Sequence, residues 1–336
     1  MFCKMPFTHS FVDGQIIKPC CLFEGDSTLK DVRKQFLNKI KPDGCRQCYE
    51  KEDLGEISSR QWYNHRFSDI EFEADVDYHK PKTFDLRIDN VCNLKCVMCG
   101  PDQSTKWKED AEIYNEFVDW HPWERKIPLP DLSEALEISI LGGEPFYMKS
   151  AYDLLLEQSK NTRIILNTNA CIDESNKLLS ILGKFSEVEI VISIDGYKNV
   201  NEYIRYPSKW NEFESGINLI FSLDNFVEYK PFNTTVSCLN LPDLNNIIDF
   251  TKQFTNSKHY LHFLTYPDFL DINALHPKVI NYCLDMIEDD FVVGHIKQDY
   301  KFDKQKNNKM RLYLEKLDDK RKTNSKVNIP WCWYES

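Results

Sequence analysis

"TFDLRIDNVCNLKCVMC", residues 83–99, joins a strand-like run to a loop that carries three cysteines. Apolar and polar residues alternate over 83–91, which is typical of a β-strand. Cys92, Cys96 and Cys99 follow with the spacing C-x3-C-x2-C. In folds built from alternating strands and helices, functional residues collect where the strands end. The three thiols therefore mark the first candidate site of the chain.

Three thiolates on one short loop can hold three irons of a [4Fe–4S] cluster. The fourth iron then has no protein ligand in this motif and stays open to another molecule. The alternative is a structural zinc site, which would need a fourth ligand from elsewhere in the chain. The position of the loop directly after a strand favours the iron–sulfur interpretation.

The segments that follow repeat one pattern of strand and helix. Strand-like runs occupy 135–141, 163–169, 187–195, 233–239 and 260–266, and amphipathic segments of helix length occupy 150–160, 174–185, 210–223 and 241–254. Strands that alternate with helices indicate βα units and a parallel sheet. About six such units are too few for a closed eight-stranded barrel. The sequence therefore predicts an α/β fold, a partial (β/α)6 TIM-like barrel.

A glycine-rich turn, "GGEP", follows the second of these strands. It comprises Gly142, Gly143, Glu144 and Pro145. Glycines let the backbone approach a ligand closely, and a glutamate can accept hydrogen bonds from an ammonium group. Alone this would be an ordinary turn, but it comes one βα unit after the cysteine loop.

The cysteine loop and this turn together resemble the radical S-adenosylmethionine (radical SAM) superfamily, over residues 83 to about 270. The resemblance implies a [4Fe–4S] cluster on the three cysteines, with S-adenosylmethionine (SAM) on the open iron. It also implies that the "GGEP" turn binds the amino group of the SAM methionine. The reduced cluster would cleave SAM to a 5′-deoxyadenosyl radical, which abstracts a hydrogen atom from a substrate. A flavodoxin or ferredoxin would supply the electron.

Weaker matches to the superfamily lie further along the chain. Ser193 and Asp195, in "ISIDG", are candidates to lie near the ribose or methionine of SAM. Arg205 is a candidate partner of the SAM carboxylate, which a guanidinium can bind in a bidentate way; the alternative is a solvated surface arginine. The turn "NTNA", 167–170, resembles a cavity-facing turn of the family, although its asparagines could instead cap a helix.

A second group of cysteines lies near the start of the chain. In "FVDGQIIKPCC", 11–21, the pair "DG" is a strong hairpin signal. A two-residue turn there pairs Val12 with Gln15 and, counting outward, places the two arms so that Cys3 and Cys20 can reach one metal.

Cys45 and Cys48 form a C-x-x-C pair that can supply two more thiolates. Four thiolates suit either a [4Fe–4S] cluster or a zinc ion. The pattern resembles the SPASM/twitch module of radical SAM enzymes, which holds an auxiliary cluster, although that module usually follows the barrel. Cys20 is the preferred ligand and Cys21 the surplus cysteine.

The end of the chain, "PWCWYES", contains Cys332 between two tryptophans. A tail of this kind could fold over the barrel mouth, where a thiol could donate a hydrogen atom to a product radical. The alternative is a small buried residue in the core. The predicted organisation is a cysteine-rich hairpin and helix module at 1–50, a connector at 51–80, the barrel at 81–270, and a helical extension and tail at 271–336.

Composition narrows the choice of function. The 336 residues include 42% hydrophobic residues, enough for a sizeable core. A net charge of −11 argues against a broad nucleic-acid-binding face. The chain shows neither a membrane-length apolar run nor a signal peptide, so we expect a cytoplasmic protein. Twelve cysteines in such a protein favour metal binding or catalysis. We expect a radical SAM enzyme acting on a peptide, protein, sugar or nucleoside. The alternative is a non-catalytic metal-binding protein that retained the fold.

Overall fold

A single sheet organises the computed structural model, which describes residues 2–14, 16–78, 80–121, 124, 128–257 and 259–334. Its strands are β1 His9–Val12, β2 Ile17–Lys18, β3 Thr83–Arg87, β4 Glu137–Leu141, β5 Arg163–Thr168, β6 Val188–Ser193, β7 Phe232–Val236 and β8 Tyr260–Phe263. Their order is β2-β1-β3-β4-β5-β6-β7-β8. Every neighbouring pair is parallel except β1 and β2.

The α-helices connect and flank these strands. In the first half of the described chain they are α1 Met5–Thr8, α2 Leu29–Leu37, α3 Arg46–Asp53, α4 Ser59–Arg66, α5 Ala111–Asn115, α6 Lys149–Leu156 and α7 Lys177–Leu182. In the second half they are α8 Asn199–Ile204, α9 Trp210–Phe221, α10 Leu244–Thr251, α11 Pro277–Met286, α12 Asp290–Asp299, α13 Lys304–Arg321 and α14 Ser325–Asn328. Within the described residues, no helix is both long and apolar enough to span a membrane.

The predicted α/β fold is confirmed. The six strands predicted from residue 83 onward are β3 to β8, and helices follow four of them as the periodicity indicated. This is the mostly parallel sheet of a partial TIM-like barrel, with a helical extension after β8.

The sheet has one apolar face and one polar face. Alternate residues such as Ile138, Ile140 and Leu166 are fully buried beneath the helices. On the other face the register sets Thr235 beside His262 on the neighbouring strand. We call this second surface the polar face; it carries Asp85, Ser139, Asn167, Glu189, Asn233 and His262. Strands that alternate in this way bury one side against helices and leave polar groups toward the interior of the barrel.

The N-terminal hairpin forms, but the predicted register is wrong. Val12 pairs with Ile17, whereas the sequence predicted Gln15, which lies outside the described residues. The backbone N–H of Asp13 donates to the Ile16 carbonyl at 3.3 Å, so the turn is centred one residue later than "DG". The reason is that Gly14, with φ +82°, takes the first central position of the turn, a conformation that glycine adopts readily.

Strand β1 also joins the sheet in parallel beside β3, with His9 opposite Thr83. A buried hydrogen-bond network reinforces the contact. The Thr83 hydroxyl lies 2.8 Å from His9 Nδ1 and 2.8 Å from the Tyr63 hydroxyl on α4. The N-terminal segment is thus attached to the barrel sheet itself, and the division into four units stays a prediction.

Candidate active site

The cysteine loop leaves β3 and is held on both sides by backbone hydrogen bonds. On one side the Glu144 N–H donates to the Val91 carbonyl at 2.8 Å. On the other side the Val97 N–H donates to the Ile204 carbonyl at 2.7 Å, in the segment that ends α8. The loop therefore sits between the "GGEP" turn and the residues around Arg205.

The three thiols of the loop differ in their surroundings. Cys96 is buried, whereas Cys92 and Cys99 are partly exposed. Burial raises the pKa of the Cys92 thiol to about 12. The thiols of Cys96 and Cys99 interact directly, and this contact lowers the pKa of Cys96 and raises that of Cys99. Metal binding requires the thiolate forms, so a nearby cation matters for this loop.

Arg205 provides that cation. Burial opposes its charge, but Asp195 and the thiols of Cys96 and Cys99 outweigh this effect and raise the pKa of Arg205. Its Nη2 lies 2.6 Å from Asp195 Oδ2, and both side chains are largely buried. The alternative of a solvated surface arginine is therefore wrong. Asp195 Oδ1 also accepts a 2.9 Å hydrogen bond from the Thr235 N–H, and Ser193 stands at the end of β6.

The glycines of the "GGEP" turn are required by close contacts with β3 and with the segment that follows it. Gly142 and Gly143 have φ angles of +79° and +50°. A Cβ atom at Gly143 would lie 2.3 Å from the Val91 carbonyl oxygen, and one at Gly142 would lie 2.6 Å from Arg87 Cγ. Without side chains the turn can pack directly against the residue that precedes Cys92.

Glu144 is the most constrained residue of the turn. It is 1% exposed. Its Oε1 accepts hydrogen bonds from the Thr168 hydroxyl at 2.8 Å and from the Phe146 N–H at 3.2 Å. Its Oε2 accepts one from the Asn169 N–H at 2.6 Å. Burial raises the pKa of Glu144 to about 7, although these hydrogen bonds and Arg205 act in the opposite direction.

The "NTNA" turn after β5 completes the group. The Asn169 side chain donates to Asn93 Oδ1 at 2.8 Å and lies 4.0 Å from Cys92 Sγ. Asn169 therefore links Glu144 to the cysteine loop and is not used as a helix cap. The sequence pointed to this turn only through family resemblance, because an asparagine after a strand has many ordinary roles.

The N-terminal cysteines come together in a second place. Cys3, Cys20 and Cys45 belong to one small apolar cluster with Phe23, Val32 and Phe36. Burial, together with the thiols of Cys45 and Cys48, raises the pKa of Cys3 to about 12. Burial, together with the Cys48 thiol, likewise raises the pKa of Cys45 to about 12. Cys20 is affected by the adjacent Cys21, which is exposed at the surface, and by Cys3 and Cys45, so the choice of ligands stays a prediction.

A buried cation stands next to this second group as well. Arg60 lowers the pKa of Cys3 and of Cys45. It is 7% exposed, pairs with Glu52 at 2.5 Å and donates to the Phe2 carbonyl at 2.7 Å.

In the part of the chain that the structure describes, no three or more His, Cys, Asp or Glu side chains are arranged to hold a metal ion. In a cubane cluster each thiolate binds a different iron, so both cysteine groups stay candidate cluster sites.

Cys332 lies elsewhere, in the core. It is 1% exposed, and its thiol donates to the Cys238 carbonyl at 3.4 Å. The neighbouring Trp331 Nε1 donates to the same carbonyl at 3.0 Å. These are the contacts of a small residue buried in the core, which was the alternative for Cys332. A role of its thiol as hydrogen-atom donor stays a prediction.

A cavity of about 620 Å³ lies between the polar face and the N-terminal segment. Lys51, Ile57 and Trp62 line it from one side, and Asn167, Glu189 and Tyr260 from the other. Ordinary ligand pockets have volumes of this order. The cavity combines aromatic rings with charges of both signs.

Two curated proteins are similar to this chain. It is 26% identical over 157 residues to the sporulation killing factor maturation protein SkfB of Bacillus subtilis. The aligned region covers 46% of this chain and 35% of SkfB. It is 24% identical over 178 residues to an uncharacterised protein of Methanocaldococcus jannaschii, covering 50% of this chain and 58% of that protein. The chain thus matches between about a third and three fifths of the length of these relatives. No family model matches the chain.

The chain is also similar to solved structures, at lower sequence identity. Streptococcus suis SuiB bound to S-adenosylmethionine is 13% identical with a TM-score of 0.40, over 80% of this chain and 61% of SuiB. The anSMEcpe protein with bound AdoMet and Cp18Cys peptide is 17% identical with a TM-score of 0.36, over 63% of this chain and 61% of that one.

Two sequence motifs meet beside the end of β3. The "GGEP" turn packs against the C-x3-C-x2-C loop, beside the strand end from which that loop leaves, and its glycines permit the close approach. In both motifs and in the contact between them, the chain resembles the radical SAM superfamily.

Proposed function

We propose that this protein is a radical SAM enzyme that modifies a peptide or protein. The observation that carries the proposal is the contact between Glu144 and the cysteine loop. The turn donates to Val91 at 2.8 Å, and Asn169 binds both the Glu144 carboxylate and Asn93. A buried anion and three thiols are thereby held side by side at the end of β3.

Cys92, Cys96 and Cys99 would hold a [4Fe–4S] cluster, and the donor set fits it. When bound, such a cluster supplies the electron that cleaves SAM and so yields a radical able to abstract a hydrogen atom from the substrate. The chain itself supplies binding, orientation and exclusion of water. Arg205 favours the thiolate forms of Cys96 and Cys99 through its charge.

Glu144 and Arg205 would orient SAM through opposite charges. The Glu144 carboxylate suits the ammonium group of the methionine part, and its hydrogen bonds to Thr168 and Asn169 fix its direction. Arg205 suits the carboxylate, while Asp195 holds the guanidinium in place. Ser193 and Asp195, at the end of β6, would border the ribose or methionine.

The N-terminal group would hold an auxiliary [4Fe–4S] cluster on Cys3, Cys20, Cys45 and Cys48, with zinc as the alternative metal. A buried four-thiolate site carries negative charge, and Arg60 offsets part of it. The auxiliary cluster would assist substrate binding or electron transfer, as in a SPASM/twitch module.

A peptide or protein substrate is favoured over a sugar or nucleoside. The relative from Bacillus subtilis is by name a maturation protein. The cavity beside the polar face offers Trp62 and Tyr260 for apolar side chains and Lys51 and Glu189 for charged ones. A flavodoxin or ferredoxin would deliver the electron.

Electron paramagnetic resonance (EPR) of the anaerobically reconstituted, reduced protein tests the SAM site. We expect the signal of one cluster to change when SAM is added, because SAM would bind its open iron. The Glu144→Gln variant should show the same signal without SAM and a smaller change at equal SAM concentration. A signal that saturating SAM leaves unchanged would count against the proposal.

A further inference from the structure

We infer that the C-terminal helix α13 positions the cysteine loop, with Tyr313 and Arg321 as the positioning residues. The inference rests on the proposed function, because it concerns the loop that would hold the SAM-binding cluster. Helix α13 lies after the last strand, in the predicted extension. It nevertheless reaches back to the loop across more than 200 residues of chain, as the 216-residue separation between Tyr313 and Val97 shows.

The first link holds the cysteine loop through two hydrogen bonds to its carbonyls, one of which comes from α13. The Tyr313 hydroxyl donates to the Val97 carbonyl at 3.0 Å, and Trp107 Nε1 donates to the Cys96 carbonyl at 3.0 Å. Both side chains are fully buried. Two successive carbonyls at the second cysteine are thus each bound by a rigid aromatic side chain. A buried carbonyl that loses its donor is costly, so the loop conformation depends on both.

The second link is a buried network of charges. Arg321 Nε donates to Asp110 Oδ2 at 2.7 Å, and Lys95 Nζ donates to Asp110 Oδ1 at 3.1 Å. Asp110 is fully buried, and the other two side chains are nearly so. Lys95 is a loop residue between Cys92 and Cys96, so the network connects the loop directly to the end of α13.

Aromatic rings hold the guanidinium of Arg321 in place. Its Cζ lies 4.6 Å from the Trp107 ring centroid and 5.3 Å from that of Tyr206. The Tyr206 carbonyl accepts from the Lys95 N–H at 2.8 Å. Trp107 therefore belongs to both links, since it binds the Cys96 carbonyl and contacts Arg321. Tyr206 belongs to the second link, through Lys95 and Arg321.

This arrangement has a chemical consequence. Groups that bind and orient metal ligands affect both metal affinity and reduction potential. Tyr313 and Arg321 touch no ligand sulfur in the contacts described above and act through the backbone and Lys95. A change at either residue should therefore alter the loop and, through it, the cluster.

Tyr313→Phe and Arg321→Lys are the test variants, and Lys320→Gln is the matched control. Lys320 also lies on α13, but it forms an exposed ion pair with Glu112 at 3.0 Å. In the metal-free full chain, we expect the amides of residues 92–99 to exchange hydrogen about fivefold faster in Tyr313→Phe, the factor that one net hydrogen bond contributes. The control should exchange like the wild type. Because Phe retains the ring, the overall fold should persist, as circular dichroism would verify.

In the reconstituted Tyr313→Phe chain, we expect a shift in the EPR signal that responds to SAM and in the midpoint potential of that cluster. Wild-type exchange together with a wild-type signal and potential in Tyr313→Phe would overturn the inference. The proposed function would instead be overturned if the wild-type chain held no cluster whose EPR signal responds to SAM. The positioning role would still stand if the amides of the loop exchanged hydrogen faster in Tyr313→Phe than in the wild type.

Discussion

Glu144 shows how a single residue acquires a function from its surroundings. A carboxylate at the end of a strand is common in any sequence. Only its burial and its three hydrogen-bond donors make Glu144 a candidate partner for an ammonium group. Its raised pKa, about 7, makes the charge sensitive to pH near neutrality. Below that pH the group is mostly neutral, and an ammonium group loses its partner.

SAM affinity should therefore increase as pH rises from 6 to 8. A group with a pKa of about 7 is roughly ten times more ionised at pH 8 than at pH 6, so we expect affinity to rise by about tenfold. Isothermal titration of the cluster-loaded protein with SAM measures this. Glu144→Gln should bind more weakly and lose most of the dependence on pH; an equal dependence in both proteins would contradict this role.

At the scale of elements, the "GGEP" turn and the cysteine loop behave as one unit. The turn can approach Val91 only because Gly143 lacks a side chain. A substitution there is strained twice, by the contact with a carbonyl oxygen and by the positive φ.

Gly143→Ala should lower both iron loading and SAM binding, because the turn must move away from the cysteine loop. Gly294→Ala is the control, since a Cβ there meets no heavy atom within 4 Å and lies within α12. Alanine at that helix position should stabilise the chain by up to about 1 kcal/mol. Iron analysis and thermal unfolding of both variants test this; equal iron content in the two would contradict the coupling.

The sequence predicted elements well and their contacts less well. The strands β3 to β8 follow from local alternation of apolar and polar residues, which is set by burial of one face. The hairpin turn differed by one residue, because Gly14 rather than Asp13 takes the first central position. That choice depends on one dihedral angle and not on the hydrophobic pattern.

At the scale of the whole molecule, distant parts of the chain converge on two cysteine groups. The sequence predicted that four N-terminal cysteines gather; Cys3, Cys20 and Cys45 share one apolar cluster, and the metal site stays a prediction. The contacts of Tyr313 with Val97 and of Arg321 with Asp110 were not foreseeable. They link residues more than 200 positions apart, and no local pattern encodes such a pairing.

Metal analysis of the reconstituted chain tests the second group. We expect about eight irons per wild-type chain, and about four in a Cys45→Ser variant, because each cubane cluster holds four. Cys21→Ser is the matched control and should keep the wild-type count, since Cys21 is exposed. About four irons with one zinc in the wild type would show that the auxiliary site is not an iron–sulfur cluster.

The central claim is that this protein cleaves SAM, and the most direct test is chromatography of the products. The reconstituted chain, incubated anaerobically with SAM and dithionite, should form 5′-deoxyadenosine. A Cys96→Ser variant, which lacks the buried ligand of the loop, should form none. The absence of 5′-deoxyadenosine from wild-type protein with a full iron content would contradict the claim and favour a non-catalytic metal-binding protein.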